Sequence, residues 1–187
     1  MNIHAIGQNM LFGKVGHFLI ILSFVTSLAA SIAYFFATIN RNDTSKSFPW
    51  INLGRKMFVL HAVAVLGIMI CLLMVIHSHF FEYKYVWEHT SKSLPIYYQF
   101  SAMWSGQEGS TLLWMFWHGV LGCVLIFKAK KWESPVLSIV ALAQVLLGSM
   151  LLGIYVLGYK FGSSPFALMR DTMEIPVFKM NPDWVPE

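Results

Sequence analysis

Four long runs of apolar residues alternate with short polar segments along the chain. The runs cover residues 15–39, 57–77, 110–127 and 136–157. A helix needs about 20 largely apolar residues to cross ~30 Å of hydrocarbon, and each run comes close to that length or exceeds it. Continuous runs favour helices over barrel strands, which would alternate apolar and polar residues in segments of ~10 residues. The pattern predicts an all-α polytopic membrane protein, with a four-helix transmembrane module in residues 1–157 and a tail in residues 158–187.

Composition supports a membrane environment. The chain of 187 residues is 57% hydrophobic and 12% charged, whereas soluble domains carry roughly 25% charged residues. The net charge is +4, but the basic residues are spread over short loops, which argues against a nucleic-acid partner. Cys71 and Cys123 lie inside apolar runs without metal-ligand or redox spacing. We interpret both cysteines as small buried hydrophobic residues.

The distribution of lysine and arginine predicts the orientation. Two of the three connecting segments, residues 40–56 and 128–135, are rich in basic residues: Arg41, Lys46, Arg55, Lys56, Lys128, Lys130 and Lys131. The positive-inside rule places these two segments in the cytoplasm. Both termini, the loop of residues 78–109 and the tail are then expected at the outer, periplasmic face of the inner membrane of a bacterium.

The polar run SGQEGS at residues 105–110 lies directly before the third apolar run. Ser105 and Glu108 have the S-x-x-E spacing of a capping box, which predicts that the third helix starts at this point. Gly106 and Gly109 would allow the loop to turn tightly and approach a neighbouring helix. Glu108 could equally act as an outer-face carboxylate that meets a cationic or protic group. For the fourth helix, the pair Ser134 and Pro135 predicts the start.

Residues 93–114, SLPIYYQFSAMWSGQEGSTLLW, resemble the cytochrome c haem lyase family (CcmF/CcsA type) and are closest to the N-terminal part of CcmF. The family signature reads W-G-x-[HQ]-E-G-S-L-L-L-W after an L-P-x-x-Y-[KR] lead-in. The signature residues assigned by this match are Trp104, Gln107, Glu108, Gly109, Ser110 and Trp114. Departures from the pattern are Gln99 for the basic residue, Ser105 for a glycine and Thr111 for a leucine. The segments VGHFLIIL, from residue 15, and SSPF, residues 163–166, also resemble the family's opening helix and its S-N-P-F motif.

The resemblance implies a role in the covalent attachment of haem to apocytochrome c at the outer face of the membrane. Haem is the implied cofactor, and the implied partners are the remainder of the lyase, haem-delivery and apocytochrome-handling proteins, apocytochrome c and membrane lipid. The family's haem-ligating H-P-P and Trp-rich segments have no counterpart up to Glu187. We therefore expect a non-catalytic N-terminal module, truncated before the part that holds most of the haem. No catalytic residue or metal ligand is assigned.

His118, His77 and Trp117 are further candidates. The imidazole of His118 is expected at depth in the membrane, where an ionisable group is often functional, while His77 lies near the outer interface and Trp117 could stack on a porphyrin. The alternative function is a cytochrome b-type electron-transfer subunit, in which paired histidines hold haem. Counting 1.5 Å per residue puts His118 ~12 Å below the outer surface and His61 ~6 Å above the inner one. Their depths in a ~30 Å core would then differ by ~12 Å, which argues against such a pair. We expect the stripe of Trp114, Trp117 and His118 to pack against another helix, and Gln144 to bond between helices.

Overall fold

The computed structural model describes residues 10–156 and 159–169 of the chain. Four long helices form the main body: α1 (Met10–Ile39), α2 (Thr44–His77), α5 (Gln107–Lys128) and α6 (Glu133–Leu152). All four are long and apolar enough to cross a membrane, so the chain is a helical, multi-pass membrane protein. Two short helices, α3 (Lys84–His89) and α4 (Ile96–Ala102), lie in the loop between α2 and α5. A 3-10 turn, Lys130–Trp132, joins α5 to α6.

The fourth helix begins and ends differently from the prediction. It begins at Glu133, with Trp132 rather than Ser134 at the N-cap position, and Pro135 is tolerated because it lies in the first turn. The helix ends at Leu152, since Gly153 adopts a left-handed conformation with φ of 70°. Residues 154–156, predicted as the end of the span, instead form strand β1 (Ile154–Val156), which pairs antiparallel with β2 (Tyr159–Phe161). The rest of the predicted tail beyond residue 169 lies outside the described residues.

The second helix starts thirteen residues before the apolar run begins, at Thr44 instead of Met57. Asp43 caps it, since its carboxylate accepts hydrogen bonds from the backbone N–H of Ser45 at 3.1 Å and from the hydroxyl of Ser45 at 2.7 Å. These bonds satisfy a donor that would otherwise be unpaired at the helix start. The polar segment thus extends the membrane helix instead of forming a loop.

The four long helices pack as a bundle in which α1 and α5 each contact both α2 and α6. Polar side chains join the helices inside this bundle. Nδ1 of the fully buried His61 lies 2.9 Å from the carbonyl oxygen of Ser23. Nε2 of the fully buried Gln144 donates to the carbonyl oxygen of Met115 at 3.1 Å, which confirms the predicted interhelical role of Gln144.

One end of the bundle contains an ion pair. We call it the basic end and define it as residues 40–56 and 128–135. The guanidinium of Arg55 contacts the carboxylate of Glu133 through two hydrogen bonds, of 2.7 Å from Nε and 2.6 Å from Nη2. Glu133 is buried, while about two-fifths of the Arg55 side chain is exposed. The pair connects α2 to α6, two helices that are diagonal in the bundle.

Candidate functional site

The opposite end of the bundle brings two distant segments together. We call it the loop end and define it as residues 78–109 and 159–169. The backbone N–H of Lys84 donates to the carbonyl of Ala167 at 2.9 Å, and that of Met169 donates to the carbonyl of Glu82 at 3.0 Å. These bonds fix the segment after β2 against the start of α3. Residues of the predicted signature and of the SSPF segment therefore share one end of the molecule.

Tyr85 in α3 organises the turn that precedes α5. Its side chain is 3% exposed, and its hydroxyl donates to the carbonyl oxygen of Met103, with an O–O distance of 2.8 Å. The same hydroxyl accepts the backbone N–H of Gly106 at 3.3 Å. Burial raises the pKa of Tyr85 to about 12, so the hydroxyl keeps its proton and remains a donor. The His89 ring stacks on Tyr85 with centroids 4.5 Å apart.

The two glycines of the signature allow this close approach. A Cβ on Gly106 would lie 2.7 Å from a carbon of the Tyr85 ring and 2.8 Å from Nε2 of His89. A Cβ on Gly109 would overlap the carbonyl oxygen of Met103 and the hydroxyl of Tyr85. Both positions therefore require glycine for steric reasons, as the sequence predicted.

The predicted capping box is wrong. The helix starts one residue later than the box requires, because Gly106 is the N-cap of α5 and makes no side-chain cap bond. Ser105 lies outside the helix, and its hydroxyl donates to the carbonyl of Ala102 at 2.9 Å. The carboxylate of Glu108 instead accepts a hydrogen bond from the hydroxyl of Ser163. Glu108 thus joins the start of α5 to the SSPF segment, across 55 positions of sequence.

A third family-like segment also reaches the loop end. Gly16, within VGHFLIIL, packs against Phe166 so closely that a Cβ would overlap the phenyl ring. Phe166 is 7% exposed and belongs to the larger hydrophobic core cluster. Three segments that resemble the family therefore meet at one end of the bundle, through Gly16, Glu108, Ser163 and Phe166. Sequence reasoning missed these contacts, because the local sequence of a segment does not indicate which distant segment it contacts.

The remaining signature residues lie mainly on the surface. Gln107 is exposed, and its backbone carbonyl accepts from the hydroxyl of Thr111 at 2.9 Å. Ser110 donates its hydroxyl to the carbonyl of Trp104 at 2.9 Å, which fastens the turn. Trp104, Trp114 and Trp117 are 41%, 62% and 56% exposed.

The predicted packing of the tryptophan stripe is therefore wrong for the described residues. The helix packs through its other face instead, where small residues such as Gly119 and Gly122 approach α2. Trp114 and Trp117 point away from the bundle, and the ring of His118 meets Trp114 edge-on at 6.0 Å. Nδ1 of His118 is buried without a hydrogen-bond partner. An outward face with aromatic rings suits lipid or a further protein segment.

His77 serves as a connection at the end of α2. Its Nδ1 lies 3.1 Å from Oε1 of Gln99, and Nε2 of Gln99 donates to the carbonyl of Leu94 at 3.2 Å. Gln99, where the family pattern has a basic residue, is 6% exposed. The glutamine at this position therefore takes part in the packing between α2 and α4.

The predicted depth difference between His61 and His118 is wrong. Their neighbours Ala62 and Gly119 face each other, since a Cβ on Gly119 would lie 3.6 Å from Cβ of Ala62. The estimate failed because it took the start of each apolar run as the membrane surface, whereas the packing of α5 against α2 sets the relative depth of their residues. The two imidazoles instead differ in their surroundings. His61 bonds to Ser23 of α1 inside the bundle, while His118 lies beside the outward-facing Trp114.

The described residues contain no group of three or more histidine, cysteine or acidic side chains that could hold a metal ion. Both cysteines, Cys71 and Cys123, are free thiols. The loop end is a site of contact between segments, built from hydrogen bonds and close packing.

Comparison with known proteins agrees with these features. No protein-family model matches the chain. The cytochrome c-type biogenesis protein CcmF of Haemophilus influenzae is 31% identical over 104 residues, which are 54% of this chain and 15% of that protein. The solved structure of a cytochrome c haem lyase CcmF superposes with a TM-score of 0.70 at 20% identity, over 84% of this chain and 26% of that one. The chain thus spans only a small part of these relatives. In sequence and in fold it is similar to CcmF, and the resemblance to the cytochrome c haem lyase family is confirmed.

Proposed function

We propose that the chain is the N-terminal membrane module of a cytochrome c biogenesis haem lyase, which supports covalent attachment of haem to apocytochrome c at the outer face of the bacterial inner membrane. The observation that carries the proposal is the meeting of three family-like segments at the loop end, where Glu108 accepts a hydrogen bond from Ser163 and Gly16 packs on Phe166. These segments are far apart in sequence, yet they contact one another in the fold. The residues that resemble the family therefore shape the same end of the bundle.

The module's contribution is support rather than chemistry. Haem is the substrate of such a reaction, and a pair of axial histidines would have to face one space. His61 is bonded to Ser23 and His118 lies against the outward-facing Trp114, so these two do not form such a pair. The module instead presents the exposed tryptophans of α5 and the loop end to the remainder of the lyase, to the haem-delivery and apocytochrome-handling proteins and to apocytochrome c.

Deletion of the gene in the source bacterium tests the proposal. Covalent haem stays on c-type cytochromes in a denaturing gel and can be stained there. We expect the deletion to abolish this stain while membrane-bound b-type haem persists, and re-expression of the full-length gene to restore it. Unchanged staining of c-type cytochromes in the deletion strain would refute the proposed role.

Variants of Glu108 test the assigned contact within the full-length protein. Glu108→Gln keeps an oxygen that accepts from Ser163, so we expect normal protein levels and most of the cytochrome c maturation. Glu108→Ala leaves the hydroxyl unpaired, and loss of such a bond costs about 1–3 kcal/mol, so less protein should accumulate. Glu88→Ala is the matched control, because Glu88 pairs only loosely with Lys84, at 3.7 Å between side chains that are 40% and 34% exposed. Normal accumulation of Glu108→Gln without maturation would show that the charge itself takes part.

An absorbance spectrum separates this proposal from a cytochrome b-type subunit. We expect the purified chain to carry little haem, because His61 and His118 face different surroundings. A Soret band in near-equimolar yield that is lost in His61→Ala or His118→Ala would instead support the electron-transfer function.

A further inference from the structure

An apolar groove runs along the outward surface between α2 and α5. Two adjoining cavities form it, of about 730 Å³ and 410 Å³, and they share Val59, Val63 and Phe127. Its rims consist of exposed apolar side chains from both helices: Val59, Val63, Leu66, Val120, Val124 and Phe127. The groove therefore offers a continuous apolar bed that the described residues do not cover.

Small residues create the groove. Ala62 and Gly119 lie at its floor, and a Cβ on Gly119 would lie 3.6 Å from Cβ of Ala62. Gly122, one turn further along α5, leaves room for the ring of Phe58 on the buried side. Side chains on the rims are larger, so the surface between the helices is concave. A concave apolar surface of this kind suits a flexible hydrocarbon chain.

Positive charge lies at one end of the groove. Arg55 and Lys56 line the cavity nearest the basic end. Nε and Nη2 of Arg55 are engaged by Glu133, while Lys56 is exposed. The basic end as a whole has seven lysines and arginines against Asp43 and Glu133, whereas residues 78–109 at the loop end have two against three acidic residues. A ligand in this groove would therefore carry an anionic group, which the basic residues at this end of the groove would bind.

The length of the groove matches one leaflet of a bilayer. Along α2 its lining runs from Arg55 to Leu66, which is ~16 Å at 1.5 Å per residue. Along α5 it runs from Phe116 to Phe127, which is again ~16 Å. The hydrocarbon core is ~30 Å thick, so with Arg55 and Lys56 at the membrane surface the groove would reach about the middle of the bilayer. A partner helix would be expected to follow the whole span.

We propose that this groove binds an anionic phospholipid. One acyl chain lies between the rims of α2 and α5, and the phosphate is held by the ammonium of Lys56 with the free N–H groups of Arg55. Basic pockets between transmembrane helices at the cytoplasmic side are known to bind anionic headgroups, and the positive-inside rule predicts that side for the basic end. The proposal does not depend on a role in cytochrome c biogenesis.

Native mass spectrometry of the purified chain with defined lipids tests the charge recognition. We expect phosphatidylglycerol to bind about fivefold more tightly than phosphatidylcholine, and Lys56→Gln to remove most of that preference. Lys130→Gln is the matched control, because Lys130 is exposed at the same end but does not line the groove. Equal binding of the two lipids, or equal effects of the two variants, would overturn the proposal.

A second pair of variants tests the acyl-chain bed. Val120→Trp fills the groove, whereas Leu121→Trp adds the same ring to an adjacent residue that is 56% exposed and lies outside the groove. Only Val120→Trp should lower phosphatidylglycerol binding, with equal helical circular dichroism in both. A photo-crosslinking residue at Val63 in intact membranes identifies the occupant directly. A phospholipid adduct supports the proposal, and an adduct to another polypeptide or to a second copy of the chain refutes it.

Discussion

Replacing Tyr85 by phenylalanine should separate the packing of this ring from the bonds of its hydroxyl. The ring and its stack with His89 remain, while the hydroxyl that donates to Met103 at 2.8 Å and accepts from Gly106 at 3.3 Å is lost. Met103 is 7% exposed and Gly106 is buried, so water does not readily replace the missing oxygen. The turn before α5 is then left with one unpaired carbonyl and one unpaired N–H.

The magnitude follows from the cost of unpaired buried groups. Leaving a buried donor or acceptor without a partner costs about 1–3 kcal/mol, so we expect the free energy of unfolding to fall by about 2 kcal/mol, roughly a thirtyfold change in the folding equilibrium. Equilibrium unfolding in mixed micelles, followed by circular dichroism, measures this value. Tyr97→Phe is the matched control, because Tyr97 is 66% exposed and exposed substitutions usually change stability by less than ~0.5 kcal/mol.

The comparison of the two variants can refute the reasoning. If Tyr85→Phe costs no more than Tyr97→Phe, the hydroxyl does not hold the turn.

The remaining predictions concern sterics, topology and pH. Gly109→Ala should destabilise the loop end by about 1–3 kcal/mol, whereas Gly148→Ala should be tolerated because its Cβ would meet neighbours at 3.6 Å or more; unfolding curves measure both, and equal effects would contradict the steric argument. In sealed cells an impermeant thiol reagent should label Lys92→Cys but not Lys130→Cys, and labelling of the latter would overturn the orientation. Burial raises the pKa of Tyr85 from 10.0 to about 12, so its contribution to stability is full below pH 10 and is lost as the pH rises through about 12. The stability difference between wild type and Tyr85→Phe should therefore shrink over that interval, and a constant difference would speak against the shift.

The four membrane helices could be predicted because long apolar runs have few alternatives in a bilayer. The ends of these helices were harder to predict from the sequence, since they depend on single residues. Asp43 starts α2 ahead of the apolar run, and the left-handed Gly153 ends α6 inside the fourth one.

The contacts at the loop end could not be predicted from the sequence. The S-x-x-E spacing is a local pattern, yet the N-cap of α5 is Gly106, whose backbone N–H donates to the hydroxyl of Tyr85, 21 positions away. The partner of Glu108 is 55 positions away, where no periodicity could indicate it. The close approach at Gly106 and Gly109 could be predicted, because glycine has no Cβ and lets a neighbouring group come near the backbone.

The ion pair between Arg55 and Glu133 has a consequence for biosynthesis. Arg55 belongs to the second membrane helix and Glu133 to the fourth, so the guanidinium has no such partner while the first three helices enter the membrane. Its long side chain can reach the polar surface during that interval. The bond closes only when α6 arrives with its buried carboxylate, and it then secures the two diagonal helices. The order of synthesis thereby makes the fourth helix the one that completes the bundle.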